Sequence, residues 1–217
     1  MLASHPVTEL ILHHRLVAIL RLDPLDHARE LVEVLLSAGV RCLEFTLTNP
    51  EAPGWVERLI REEPRFSDGT ATLGVGSVRT AAAARQVLDA GAQFVVTPTL
   101  AIDAIHICTD RRVPIAVGAM TPTEIATAWD ARASLVKVFP ARSLGPAYIK
   151  DVLAPMPELS LMPTGGIDAS NAGEYLKAGA VAVGVGGQLC SQSAVNRQDW
   201  DAIHAVAKSM VAACNPA

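Results

Sequence analysis

The segment KAGAVAVGVGG, residues 177–187, contains the pattern that decides the fold: a helix end, a glycine, an apolar strand and a glycine-rich turn. The same joint of alanine, glycine and an apolar residue recurs at residues 38–40 and 90–92. Glycine at this joint fits the left-handed conformation that ends a helix, because it has no Cβ to clash. We therefore expect helices that lead directly into strands, repeatedly along the chain.

Eight short apolar runs, rich in β-branched residues, are the candidate strands. Most of them show little alternation with polar residues, which is typical of strands buried on both faces of a parallel sheet. Helical periodicity connects them, for example over Leu25–Ala38 and Thr80–Ala90. The eight runs are Leu16–Leu20, Arg41–Leu47, Ala71–Val75, Gln93–Thr97, Val113–Val117, Ser134–Phe139, Ser160–Pro163 and Val181–Val185.

Eight strands that alternate with helices in 217 residues predict a small (β/α)8 TIM barrel, with residues 1–217 as a single domain. The main alternative is a doubly wound open sheet. Such a sheet usually has fewer strands, and no GxGxxG sequence follows the first strand here. Residues His5–His14 are predicted to form an extra N-terminal helix that closes the floor of the barrel.

The composition indicates a folded domain that binds neither nucleic acid nor membrane. Hydrophobic residues make up 50% of the chain and charged residues 18%, which argues against disorder. The net charge of -4 provides no basic surface for a nucleic-acid backbone. The apolar runs are too short to cross a bilayer, and the N-terminal sequence lacks the pattern of a signal peptide. A cytoplasmic location is therefore expected.

The histidines and cysteines predict neither a metal site nor a disulfide framework. The four cysteines share no close spacing, so we expect reduced side chains. The six histidines fall in N-terminal or helical stretches, whereas metal ligands in a barrel would converge at strand ends. We expect no metal and no cofactor.

Lys137 differs from the other three lysines because it lies inside an apolar strand, in the sequence LVKVF at residues 135–139. Burial favours the neutral amine and lowers the pKa of a lysine. A neutral amine near a cleft is what Schiff-base formation with a carbonyl compound requires. The alternative is a structural lysine whose stem lies in the core and whose amine pairs with a carboxylate of the barrel.

Glu44 is the only glutamate inside an apolar strand, in the sequence CLEFTL at residues 42–47. Burial there should raise its pKa toward the range useful for general acid–base catalysis. The alternative is a structural ion pair with Lys137 or Arg21, and an ion pair with Lys137 is also compatible with catalysis.

Two further features lie at the ends of predicted strands. Arg21 ends the first strand, where a guanidinium can bind a carboxylate through two parallel hydrogen bonds. It could equally form a salt bridge with Asp23 at the rim, and both interpretations stay open. After the third strand, residues 74–77 bring glycine backbone and the hydroxyl of Ser77 to the same end of the barrel.

Glycine pairs follow the last two predicted strands, as Thr164-Gly165-Gly166 and as Gly186-Gly187. Backbone N–H groups beside a helix start can bind an anion without a charged side chain. In TIM barrels the loops after the last two strands usually hold phosphate. We therefore expect a substrate with a phosphate at one end and a reacting carbonyl near Lys137.

At these residues the chain resembles the 2-keto-3-deoxy-6-phosphogluconate aldolase / 4-hydroxy-2-oxoglutarate aldolase family. The resemblance extends from about residue 16 to residue 189. The segments that carry it are VAILR (17–21), GVRCLEFTLTNP (39–50), GVGSV (74–78), AGAQFVVTP (90–98), MTPTE (120–124), LVKVFPA (135–141), GPAYIK (145–150), LMPTGG (161–166) and AGAVAVGVG (178–186).

The resemblance implies a metal-free class I aldolase that is commonly a homotrimer. It would cleave 2-keto-3-deoxy-6-phosphogluconate reversibly to pyruvate and glyceraldehyde 3-phosphate. The Schiff-base lysine of the family matches Lys137, and its proton-shuttling glutamate matches Glu44. Arg21 and Ser77 match the positions that bind the carboxylate. The full set of expected substrate contacts is Arg21, Ser77, Pro98, Thr164, Gly165, Gly166, Gly186 and Gly187.

Some positions depart from the family pattern. Gly187 stands where many members have a serine, and Thr48 stands where some have an arginine, which favours Arg21 as the carboxylate partner. Val117-Gly118 replaces the common proline-glycine.

The galactonate epimer and unphosphorylated 4-hydroxy-2-oxoglutarate stay open as substrates. A phosphosugar isomerase or epimerase, which would use Glu44 as a base without an imine, is the alternative from another class.

Overall fold

Seven parallel strands form the centre of the protein in a computed structural model that describes residues 5–215. The strands are β1 (Leu16–Leu20), β2 (Cys42–Thr46), β3 (Thr72–Gly76), β4 (Val95–Val96), β5 (Ile115–Ala119), β6 (Leu135–Val138) and β7 (Val183–Val185). The α-helices are α1 (Pro6–His14), α2 (Ala28–Ser37), α3 (Ala52–Glu62), α4 (Pro64–Ser67), α5 (Ala81–Asp89), α6 (Ile102–Asp110), α7 (Pro122–Asp130), α8 (Gly145–Leu153), α9 (Ala172–Lys177), α10 (Gln192–Asn196) and α11 (Trp200–Cys214). A 3-10 turn at Ala141–Ser143 follows β6.

The segment at residues 160–164 occupies the eighth strand position and closes the sheet. The seven strands are ordered β6-β5-β4-β3-β2-β1-β7. Between β6 and β7, the N–H of Thr164 donates to the carbonyl of Val138 at 2.9 Å, and the N–H of Gly184 donates to the carbonyl of Pro163 at 3.0 Å. The result is a (β/α)8 TIM-type barrel, which confirms the predicted fold class.

The predicted strands are confirmed with shifted ends. The predicted run at Gln93–Thr97 forms ladder pairs only at Val95–Val96, and the run at Ser160–Pro163 pairs through isolated bridges. These two segments still donate and accept backbone hydrogen bonds along the barrel. The glycine joints behave as expected, because Gly39, Gly91 and Gly179 all have positive φ.

Helix α1 packs against the lower end of the barrel, as the sequence predicts. Its Ile11 is buried and belongs to an apolar cluster with inward-facing side chains of the strands, including Val17, Phe94 and Met162. A second and larger cluster fills the layer between the strands and the surrounding helices. The strand carboxyl ends, at the opposite end of the barrel, are left for the functional site.

None of the helices described between residues 5 and 215 has the length and apolar character needed to span a bilayer.

Candidate active site

Lys137 lies on β6 and is 6% exposed. Its register partner on β5 is Gly118, which adds no side chain beside it. The Lys137 Nζ atom lies 5.1 Å from the centre of the Phe139 ring, and Phe139 follows on the same strand face. The amine is therefore held among apolar atoms near the carboxyl end of the strand.

Glu44 lies on β2, which is on the other side of the barrel from β6 in the sheet order. It is 1% exposed, and neither of its carboxylate oxygens has a hydrogen-bond partner in the described part of the chain. Buried polar atoms without a hydrogen-bond partner are rare because they cost free energy of folding, and a catalytic role is one reason for which a protein keeps them. The side-chain contacts of Glu44 thus give no support to a structural ion pair, and no carboxylate lies within ion-pair distance of Lys137 among the described residues.

The space for the Glu44 carboxylate is provided by Gly76 on β3. A Cβ placed on Gly76 would overlap the Oε1, Cδ and Cγ atoms of Glu44. Gly76 is therefore required at this register position, where Thr46 of the neighbouring strand is its partner. The carboxylate of Glu44 thus occupies the space that a side chain at residue 76 would fill.

Replacing Gly76 by alanine is expected to displace the Glu44 carboxylate. We expect a loss of about 1–3 kcal/mol in the free energy of unfolding, the usual cost of overpacking a dense core, together with loss of activity. Urea unfolding and turnover measure the two effects. Gly54→Ala is the matched control, because nothing lies within 4 Å of a Cβ there. A Gly76→Ala variant as stable and active as its parent would contradict the assigned packing.

Burial shifts the pKa values of Glu44 and Lys137 in the directions that favour the neutral form of each side chain. Desolvation raises the pKa of Glu44, while the positive charges of Lys137 and Arg21 act in the opposite direction. Desolvation likewise lowers the pKa of Lys137, and Arg21 lowers it further, whereas Glu44 raises it. Burial therefore favours the neutral amine of Lys137 and the neutral acid of Glu44 inside the barrel. This is the ionisation state that nucleophilic attack on a carbonyl requires.

A cavity of about 410 Å³ opens beside Lys137 at the carboxyl ends of the strands. The basic residues of its lining are Lys137, Arg21 and Arg142, and the lining includes no Asp or Glu of the described residues, although the chain has a net charge of -4. Arg21 forms no ion pair with Asp23; instead, Asp23 Oδ1 accepts a hydrogen bond from Asn49 Nδ2 at 3.3 Å. Arg21 therefore remains available to a ligand, and the cavity attracts anions.

The two predicted glycine loops lie side by side at this cavity. Its lining includes Thr164, Gly165, Gly166, Gly186 and Gly187. Gly165 and Gly166 both have positive φ, and the carbonyl of Gly166 accepts a hydrogen bond from Asn171 Nδ2 at 3.0 Å. Within residues 5–215, the N–H groups of Gly165, Gly166 and Gly187 donate to no protein acceptor. These N–H groups can therefore bind an anion.

Two predicted contacts, Ser77 and Pro98, lie outside the lining of this cavity. Ser77 directly follows Gly76 and has a φ of 63°. The backbone of Pro98 packs against Gly118, the register partner of Lys137. Both residues thus lie beside the reacting groups on the β3–β5 side of the barrel, and their roles in substrate binding stay predictions.

The structure adds residues that the sequence did not single out. Phe139, Arg142 and Gln192 line the cavity, and Gln192 Oε1 accepts the N–H of Asp23 at 2.8 Å. The spacing of Lys137 and Phe139, two residues apart along the predicted strand, could have identified Phe139. Nothing in the sequence pattern shows that Arg142 and Gln192 fold back over the strand ends.

No group of three or more His, Cys, Asp or Glu side chains in the described part of the chain is positioned to hold a metal ion. A reaction that uses Lys137 and Glu44 without a metal ion stays a prediction.

Fold and site together define a (β/α)8-barrel enzyme whose buried lysine opens into a basic cavity. A family model described as KDPG and KHG aldolase matches residues 7–206. The chain belongs to this family, and it is therefore a lyase of the aldolase type.

Named relatives agree with this assignment. The chain is 32% identical to 2-dehydro-3-deoxy-phosphogluconate aldolase of Pseudomonas aeruginosa, over 86% of this chain and 83% of that protein. It is 29% identical to the enzyme of the same name from Haemophilus influenzae, over 96% of each chain. A solved structure of KDPG aldolase from Legionella pneumophila, with pyruvate captured as a covalent carbinolamine intermediate, superposes with a TM-score of 0.85 at 25% identity, covering 95% of this chain and 98% of that one.

Proposed function

We propose that the protein cleaves 2-keto-3-deoxy-6-phosphogluconate reversibly to pyruvate and glyceraldehyde 3-phosphate through a Schiff base on Lys137. The observation that carries the proposal is the buried amine of Lys137, which has no carboxylate within ion-pair distance among residues 5–215 and lines a cavity whose other ionisable side chains are Arg21 and Arg142. The names of the relatives support the same substrate.

The first half of the reaction forms the imine. The neutral amine of Lys137 attacks carbon 2, and a proton moves from the nitrogen to the former carbonyl oxygen to give a carbinolamine. Protonated Glu44 then supplies a proton to this hydroxyl, water leaves, and a protonated imine remains beside the Glu44 carboxylate. Because Glu44 does not line the cavity, its proton passes through an intervening water.

The second half breaks the carbon–carbon bond. The Glu44 carboxylate takes the proton of the hydroxyl on carbon 4, the bond between carbons 3 and 4 breaks, and its electron pair forms an enamine as the imine nitrogen becomes neutral. The aldehyde leaves, and Glu44 returns the proton to carbon 3. Water then adds to the imine, which releases pyruvate and restores the amine of Lys137 and the acid form of Glu44.

The cavity offers a place for each charged end of the substrate. Arg21 lies near enough to influence the pKa values of both Lys137 and Glu44, so it is suited to the carboxylate next to the reacting carbonyl. Ser77 would share this carboxylate. The loops of Gly165-Gly166 and Gly186-Gly187 would hold the phosphate through their N–H groups.

A second substrate within the same chemistry is 4-hydroxy-2-oxoglutarate, which would give pyruvate and glyoxylate. It is favoured by Gly187, which provides no hydroxyl donor for a phosphate. The galactonate epimer of the phosphorylated substrate is the third candidate. Membership of an aldolase family argues against the isomerase or epimerase alternative, which requires no imine.

An assay of the three compounds with purified protein tests the proposal. We expect the highest kcat/KM for 2-keto-3-deoxy-6-phosphogluconate, measured as pyruvate release. A higher value for the galactonate epimer or for 4-hydroxy-2-oxoglutarate would replace the proposed substrate but keep the chemistry. Absence of pyruvate from all three compounds would overturn the function itself.

We also propose a homotrimer in the cytoplasm, as the family resemblance implies. Light scattering coupled to size-exclusion chromatography should give a mass of three chains, and a mass of one or two chains would contradict the trimer.

A further inference from the structure

We infer that Arg142 binds the phosphate of the substrate and sets the preference for phosphorylated over unphosphorylated sugar acids. The inference rests on the proposed function for the identity of the substrate, and on the geometry of the cavity for the position of the anion. Arg142 is the one basic residue of the cavity lining that the mechanism above does not use.

The turn that carries Arg142 is fixed at the carboxyl end of β6. Its first residue, Ala141, donates its N–H to the carbonyl of Thr164 at 2.8 Å. The carbonyl of Ala141 accepts a hydrogen bond from the Tyr175 hydroxyl at 3.3 Å. Arg142 therefore extends from an anchored backbone position, which lowers the entropy cost of placing its guanidinium at a ligand.

Arg142 lies directly over the first glycine loop. Its Nε, Cβ and Cγ atoms come within 2.8–3.0 Å of the place where a Cβ on Gly166 would lie. Among the described residues the guanidinium has no ion-pair or hydrogen-bond partner, and none of their acidic side chains lines the cavity. The charge of Arg142 and the N–H groups of Gly165 and Gly166 therefore surround the same space.

The two arginines of the cavity serve different ends of the ligand. The charge of Arg21 acts on the pKa values of Lys137 and Glu44. Arg142 instead packs over Gly166, in the glycine loop of residues 164–166. A guanidinium at this position forms charge-assisted hydrogen bonds with phosphate, and it replaces the hydroxyl donor that Gly187 lacks.

Arg142→Gln tests the assignment, with Arg142→Lys as the charge-preserving variant and Arg85→Gln as the control. Arg85 is an exposed arginine on α5, outside the cavity. We expect Arg142→Gln to raise KM for 2-keto-3-deoxy-6-phosphogluconate about 10–100-fold, the effect of losing one charge-assisted interaction, with kcat changed less than about threefold. Cleavage of unphosphorylated 2-keto-3-deoxygluconate and trapping of pyruvate should stay at the parental level, and Arg142→Lys should recover part of the affinity.

Binding of glycerol 3-phosphate, measured by calorimetry, provides a test that does not depend on turnover. We expect this phosphomonoester to bind the parent and Arg85→Gln equally and Arg142→Gln at least about tenfold more weakly. Equal binding to all three proteins, or an equal loss of activity on phosphorylated and unphosphorylated substrates, would overturn the role of Arg142. Failure of the parent to cleave any sugar acid would overturn the proposed function, whereas the binding result would still decide the phosphate site.

Discussion

The Lys137→Met variant is expected to lose aldol cleavage by a factor on the order of 10⁴ or more, because no other group in the cavity can form the imine that withdraws electrons from the breaking bond. Met is close in length to Lys and is apolar, so it suits a side chain that is 6% exposed. Pyruvate release from 2-keto-3-deoxy-6-phosphogluconate measures the loss, and urea unfolding checks that the variant folds.

Reduction of the imine shows where it forms. Borohydride added with pyruvate should leave a stable adduct on the peptide that contains Lys137, and Lys137→Met should show none. Lys208→Ala, which changes an exposed lysine of α11, is the control and should be labelled and active as the parent is. An adduct on another lysine, or full activity in Lys137→Met, would refute the mechanism.

Glu44→Gln is expected to lower kcat about 10²–10⁴-fold, the range for removal of a positioned general acid–base group. The amide has nearly the same shape, so the packing against Gly76 is kept. Trapping of pyruvate on Lys137 should be slower as well, because Glu44 supplies the proton for loss of water from the carbinolamine, but the adduct should still form on Lys137 at long incubation. A variant with parental kcat would show that another group moves the proton.

The pH dependence of trapping separates an electrostatic role of Glu44 from a purely structural one. Trapping requires the neutral amine, so its rate rises with pH through the pKa of Lys137. The Glu44 charge raises that pKa and the Arg21 charge lowers it. At pyruvate concentrations well below saturation, where the rate reports the free enzyme, the rising limb should therefore move to lower pH in Glu44→Gln and to higher pH in Arg21→Gln. If the pH profile of trapping is the same in the parent and in both variants, the charges of Glu44 and Arg21 do not influence the pKa of Lys137.

The barrel was predictable because each strand carries its own local signal. The glycine after each helix and the apolar run that follows it occur within a few residues, and the structure confirms the joints at Gly39, Gly91 and Gly179. The ends of the strands were less accurate, since hydrogen bonding with a neighbour decides where a strand ends. Ser160–Pro163 is the clearest example, because its pairing becomes visible only when the barrel closes.

The burial of two candidate site residues was predictable, because an ionisable side chain inside an apolar strand stands out in the sequence. Lys137 and Glu44 are ionisable residues in apolar strands, and this combination can be read from the sequence. Arg142 could not be found in this way, because an arginine in a polar turn looks like any solvated residue. Its role depends on the turn at Ala141–Ser143 folding over Gly166, a contact between segments that are far apart in sequence.

Helix α1 closes the end of the barrel opposite the candidate site. It covers the lower end of the barrel, and Ile11 continues the apolar filling below the reacting groups. The cavity at the carboxyl ends of the strands is therefore the side from which a substrate can reach Lys137. In the proposed mechanism, pyruvate stays covalently attached to Lys137 after the bond breaks, so the aldehyde departs first and free pyruvate competes with the next substrate molecule for Lys137. Both products would then leave one after the other on this side of the barrel.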